Sequence, residues 1–101
     1  MIHHIVLWNL KEELTEVEKK EAALRIKKEL EAVKEQVDGV VSLKVVIDGL
    51  SSGNRDIALI SVFENEEALK AYQVSPAHVK AGGYVGTVTV NRTCFDYEDI
   101  Q

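Results

Sequence analysis

The sequence predicts an α+β domain, a ferredoxin-like βαββαβ plait in which an antiparallel four-stranded sheet carries two main helices on one face. Three observations predict it. Four stretches rich in β-branched and aromatic residues are interrupted, in that order, by two stretches of helical periodicity, each opened by a capping residue. The 101 residues suffice for one core, burying roughly 65% of the unfolded surface, and contain no repeat, linker or domain boundary, so residues 1–101 read as a single domain. The strands are apolar on both faces although two helices cover only one, which predicts a homodimer packed sheet to sheet.

The first strand is IHHIVLWNL, residues 2–10. TEVE at 15–18 then forms a capping box, Thr15 accepting from the Glu18 amide while the Glu18 carboxylate reaches back. The helix that follows places Ala23, Ile26, Leu30, Val33 and Val37 on one stripe and ends at Asp38-Gly39. VVSLKVVID (40–48) and DIALISVF (56–63) are the second and third strands, joined by the turn-rich GLSSGNR. Asn65, followed by Glu66 and Glu67, opens a shorter helix through Tyr72. Ser75-Pro76 repeats the start signal for one or two further helical turns, with Gly82-Gly83 beyond them. RTCFDYE (92–98) is the closing strand. On the first strand Ile2, Val6, Trp8 and Leu10 alternate with Ile5 and Leu7, and on the third Ile57, Leu59 and Phe63 alternate with Ala58, Ile60 and Val62.

Composition narrows the function classes. A net charge of −5 argues against nucleic acid, whose phosphates need a basic footprint. Lys19, Lys20, Arg25, Lys27 and Lys28 are interleaved with glutamates, which makes a solvated helix face and not a basic patch. The apolar run Ile5–Trp8 is too short for a signal segment or a membrane span, so no membrane partner is expected. A lone Cys94 has no disulfide partner, and a cytoplasmic location is the expectation. No phosphate-binding glycine loop has the required spacing.

The stretch AYQVSPAHVKAGGYV (71–85) carries the chemistry. Along an unbroken helix Tyr72 and His78 would point about 120° apart. Pro76 restarts the chain in a new direction, so the two can converge on one pocket. A neutral imidazole can remove a proton beside a carbonyl at pH 7, Tyr72 can donate to the developing enolate, and Asp96 can fix the His78 tautomer. Blander roles compete: Tyr72 as core on a stripe with Ala68 and Leu69, His78 as a solvated histidine at a helix start, Asp96 as the partner of a lysine or arginine. His3 and His4, adjacent on a strand, face opposite sides and cannot chelate together; His4, on the Val6 and Trp8 side, reads as a hydrogen-bonded interface histidine. A metal site of His4, His78 and Asp96 is the least favoured arrangement, and no metal or cofactor is expected.

The segments HHIVLWNLKEELTEVEKKE, FENEEALKAYQVSPAHV and CFDYE, which span nearly the whole chain, resemble the stress-responsive α/β-barrel (Dabb) domain family. The resemblance implies a ferredoxin-like protomer whose sheet packs on that of a second protomer to form a barrel-like dimer. The family includes plant stress-associated proteins, bacterial proteins and a cofactor-free polyketide cyclase that performs an intramolecular aldol condensation. Its catalytic histidine and tyrosine match His78 and Tyr72, and a first-strand histidine and a last-strand aspartate match His4 and Asp96. The sequence departs from the family pattern at Ser75, where the first histidine of a His-Pro-x-His stretch is usual. The expected site therefore has His78 and Tyr72 as a catalytic pair, with His4, Asp96 and Trp8 as ligand contacts. Three functional readings follow: cyclase-like acid–base chemistry on a small carbonyl-bearing or aromatic ligand, a non-catalytic stress or structural dimer, and a cofactor-free oxygenase by analogy of fold.

Overall fold

A computed structural model describes residues 1–99. The elements run β1 (Ile2–Leu10), α1 (Glu16–Val33), β2 (Val40–Val46), β3 (Ile57–Phe63), α2 (Glu66–Val74), α3 (Pro76–Val88) and β4 (Thr89–Glu98). The sheet has the order β2-β3-β1-β4, and each neighbouring pair is antiparallel. This is the ferredoxin-like plait, with three helices where the sequence predicts two main ones and a turn or two more.

Burial alternates strictly along β1: Ile2, His4, Val6, Trp8 and Leu10 are buried beneath the helices. The intervening residues face the open side. There Ile5 lies between Ile60 of β3 and Phe95 of β4, and His3 between Val62 and Tyr97. Ile60, Phe95 and Tyr97 remain 42%, 65% and 41% exposed, so this face presents apolar surface to solvent. On the other side Ile26, Val45, Phe63 and Tyr72 are fully enclosed, the first three side chains each gaining about 1.5–3 kcal/mol from burial.

Local chemistry fixes the helices on the sheet. Thr15 and Glu18 make the predicted capping box, and Asn65 accepts from the Ala68 amide at 2.8 Å to open α2. The Glu31 carboxylate accepts from the Val45 N–H at 3.0 Å while Lys27 Nζ donates to the Val45 carbonyl at 2.6 Å, so α1 is laced to β2. The Arg25 guanidinium stacks 3.6 Å from the Tyr84 ring, joining α1 to α3. Gly39 has φ 85°, and a Cβ there would come within 2.6 Å of the Ala68 Cβ; conformation and the approach of α2 both require glycine.

Three boundaries differ from the sequence reading by three residues or more. α1 gives way at Lys34–Gln36 to a 3₁₀ turn, so Val37 lies beyond the helix yet still packs against the core. α3 runs for 13 residues through Gly82, Gly83 and Gly86, because Ala81 and Val85 bury their side chains in the core and outweigh the local cost of about 1 kcal/mol per glycine. β4 consequently starts at Thr89, three residues earlier than predicted. Among the described residues no helix is long and apolar enough to cross a membrane.

Candidate functional site

The junction of α2 and α3 brings the first pair together. Proline at 76 pushes Ser75 out of helical geometry, to φ −64° and ψ 143°, which ends α2 and starts α3. The Ser75 hydroxyl donates to the Tyr72 carbonyl at 2.8 Å and accepts from the His78 N–H at 3.2 Å. One side chain therefore caps both helices and ties the two residues to each other. Their rings meet with centroids 4.5 Å apart and planes inclined at 52°, so the divergence of an unbroken helix is removed.

The protonation states follow from the partners. His78 Nδ1 lies 3.1 Å from the Gln73 carbonyl; a carbonyl only accepts, so Nδ1 carries the proton and Nε2 keeps its lone pair. Burial, with smaller contributions from the charges of His4 and Arg92, holds the His78 pKa below the ordinary histidine value, although the Gln73 bond opposes this. At neutral pH the ring is a neutral base. Tyr72 is fully buried, packs against Phe63 at 4.9 Å, and its hydroxyl has no hydrogen-bond partner among the described residues. Burial pushes that phenol up to about 12, so it stays a proton donor.

The second pair comes from the sheet. Register places His4 opposite Asp96, and His4 Nδ1 donates to Asp96 Oδ1 at 2.5 Å. The Ser61 hydroxyl donates to the His4 carbonyl at 2.7 Å and steadies the strand beneath it. Two expectations are corrected here. Asp96 orients His4 and not His78, because it is in register with His4, and the Gln73 carbonyl fixes the His78 tautomer. His4 is hydrogen-bonded and on the Val6 and Trp8 side, as expected, but that side lies beneath the helices, where His4 is 2% exposed, so it is not an interface histidine; strand alternation puts His3 on the open side.

Both histidines line one cavity of about 310 Å³ between α3, β1 and the start of β4. Trp8 lines it too, as do Arg92 and apolar side chains of α1, β3 and α3. Tyr72 and Asp96 do not line it; Tyr72 packs against His78 and Asp96 bonds His4. Gly82 and Gly86, one turn apart on α3, are in the wall, and a Cβ at either would meet nothing within 4 Å. Their missing side chains keep the space open. A larger groove of about 750 Å³ runs between α1 and the 49–55 loop, but none of the candidate residues lies in it.

Only one group of side chains has a metal-binding donor set among the described residues: His4, Cys94 and Asp96, with Cys94 Sγ 3.7 Å from His4 Nδ1 and 3.5 Å from Asp96 Oδ1. Two ligands on one tetrahedral ion at about 2.1 Å each stand roughly 3.4 Å apart. The 2.5 Å between His4 and Asp96 is the distance of a shared proton, and the trio as it stands is a hydrogen-bonded cluster. The grouping of His4, His78 and Asp96 is not among the clusters able to hold a metal.

Sequence reasoning missed Gln73, Arg92 and the paired glycines. Asn91 carried a usable signal: asparagine tolerates the left-handed region, and Asn91 sits there at φ 58°. It marks the bulge that delivers Arg92.

Comparison with known proteins places this geometry. The structure matches a dimeric protein of unknown function and ferredoxin-like fold from Bacteroides fragilis with a TM-score of 0.90 and 30% identity, covering 97% of this chain and 95% of that one. A dimeric ferredoxin-like protein of unknown function from Thermobifida fusca matches with a TM-score of 0.81 and 22% identity, covering 95% and 88%. An antibiotic biosynthesis monooxygenase shares the fold at a TM-score of 0.78 and 13% identity over 100% of both chains. No curated protein sequence matches. The family model described as the stress responsive A/B barrel domain, Dabb, matches residues 2–99, and with the plait and strand order found here the chain belongs to that family.

Proposed function

We propose that the cavity binds a small carbonyl-bearing or aromatic ligand and that the protein performs cofactor-free, cyclase-like acid–base chemistry on it. The observation that carries the reading is His78, neutral, with its Nδ1 proton committed to Gln73, lining the same 310 Å³ cavity as the Asp96-oriented His4. His78 Nε2 takes a proton from the carbon beside the carbonyl, and the electron pair of that C–H bond moves into the enolate. His4, as the imidazolium paired with Asp96 through Nδ1, donates its Nε2–H to the enolate oxygen. Tyr72 lies outside the cavity wall and packs against His78, holding the base in place. Trp8 forms an aromatic wall for the ligand body.

The working unit is a homodimer joined through the open sheet faces. Exposed Ile60, Phe95 and Tyr97 support this, and the neighbours from Bacteroides fragilis and Thermobifida fusca are dimeric. The lone Cys94 thiol accords with a cytoplasmic location.

The test is deuterium uptake. In D₂O, NMR should detect exchange at the carbon next to the ligand carbonyl with wild-type protein and none above background with His78→Ala. Carbonyl compounds should also raise the melting temperature of wild type and not of Gly86→Leu, in which the cavity is filled. Equal exchange in wild type and His78→Ala, with no thermal shift across the compounds, would leave the non-catalytic dimer as the better reading. The monooxygenase likeness is one of fold alone; oxygen uptake with quinols that His78→Ala abolishes would move the function there.

A further inference from the structure

The cavity differs in charge from the rest of this acidic protein. Of 101 residues 17 are Asp or Glu, yet no carboxylate lines the 310 Å³ cavity, which has Arg92 together with His4 and His78. Four other surface concavities each contain at least one carboxylate, from Glu16, Asp48 and Asp56 in the 750 Å³ groove to Glu29 beneath α3. Arg92 is also placed by a specific device. Leu7 pairs with Thr93 and Asn9 with Val90, so Trp8 alone faces both Asn91 and Arg92: a bulge. Asn91 takes the left-handed conformation at φ 58° and its side chain donates to Asn9 Oδ1 at 3.1 Å. The extra residue restores the parity of the strand, so Arg92 faces the helix side as Thr89, Cys94 and Asp96 do. Among the described residues no carboxylate lies within 4 Å of its guanidinium. The nearest acid on the same strand face, Asp96, is engaged with His4.

We propose that Arg92 is an anion-recognition residue and that the cavity selects oxo acids, ligands with a carboxylate beside or near the reacting carbonyl and an apolar body against Trp8. This rests on the cavity reading above and narrows its substrate class. A guanidinium is permanently charged, and its planar fork matches the two oxygens of a carboxylate. The apolar walls from Leu30, Leu59 and Val85 take the remainder of the ligand. The positive charge also disfavours protonation of His78, which keeps the base in its working form.

Phenylpyruvate and its methyl ester, titrated calorimetrically into the full chain, separate the possibilities. Wild type should bind the acid about tenfold or more tightly than the ester, as expected for a charge-assisted contact. Arg92→Gln should remove that preference while leaving ester affinity unchanged, and Arg92→Lys should recover part of it. Added salt should weaken the acid alone. Equal affinity for acid and ester in wild type, or equal loss of both in Arg92→Gln, overturns the role of Arg92; if the ester still binds and His78→Ala abolishes that binding, the cavity reading survives. Binding of neither compound to wild type overturns both.

Discussion

His3 and His4 are neighbours in sequence and opposites in the fold. His4 points beneath the helices, is 2% exposed, and has its Nδ1 proton held by Asp96 at 2.5 Å. His3 points to the open face, stacks on Tyr97 with ring planes 7° apart, and its Nε2 lies 2.8 Å from Asp99, close enough for an ion pair but without the alignment of a hydrogen bond. The difference shows how one strand serves two purposes. Because successive side chains alternate, β1 lines the cavity with one face and leaves the other to the open apolar surface, and a one-residue slip would exchange them.

The comparison breaks most readily on the open face. Ile60→Glu should raise the dimer dissociation constant by at least about 100-fold, since two desolvated carboxylates would enter one apolar contact; sedimentation velocity at micromolar concentration checks it, and a wild-type monomer would remove the docking half of the contrast. In that monomeric background, His4→Ala should cost about 2–4 kcal/mol in urea unfolding, through a cavity and an orphaned Asp96 bond, against under about 1 kcal/mol for His3→Ala. Equal costs would mean the two faces are not energetically distinct. On the covered face Gly82→Ala should stabilise the protein by about 1 kcal/mol, because helix propensity rises and the added methyl meets nothing, while ligand affinity falls. A parallel rise in stability and affinity would show the cavity is not the binding site.

The smallest effect sharpens the contrast through pH. Since burial depresses the folded-state pKa of His78, protonation favours the unfolded chain. This group's contribution is whole above the ordinary histidine value near 6.5 and is lost as pH falls through the depressed folded value. His78→Gln should flatten the stability curve of wild type over that window, measured by urea unfolding at a series of pH values.

The elements legible in the sequence are those whose causes are local. Thr15 with Glu18, Asn65, and Ser75 before Pro76 are caps written in three or four residues, and each was found where expected. The alternation of Ile2, Val6, Trp8 and Leu10 with Ile5 and Leu7 gave the two faces of β1 for the same reason, but which of them the helices cover is not written in it. What escaped depends on tertiary context. Gly82-Gly83 reads as a helix end, yet packing of Ala81 and Val85 carries α3 through it. Asp96 finds His4 through strand register, and Arg92 reaches the cavity through a bulge opposite Trp8; neither has a trace within its own neighbourhood beyond the permissive Asn91. Convergence of Tyr72 with His78 was legible because proline acts on its immediate predecessor.

The Ser75 hydroxyl has a consequence for the order of assembly. It joins Tyr72 to His78 through bonds spanning three residues each, whereas His4 and Asp96 close a loop of 92. Closing the longer loop costs about 3 kcal/mol more in chain entropy. One half of the site can thus form as soon as α2 and α3 do, while the other waits for β4 to dock on β1. Asp96, Arg92 and the far wall of the cavity all arrive with that last strand, so a folding intermediate with β4 undocked would hold the base correctly and have nowhere to put a ligand.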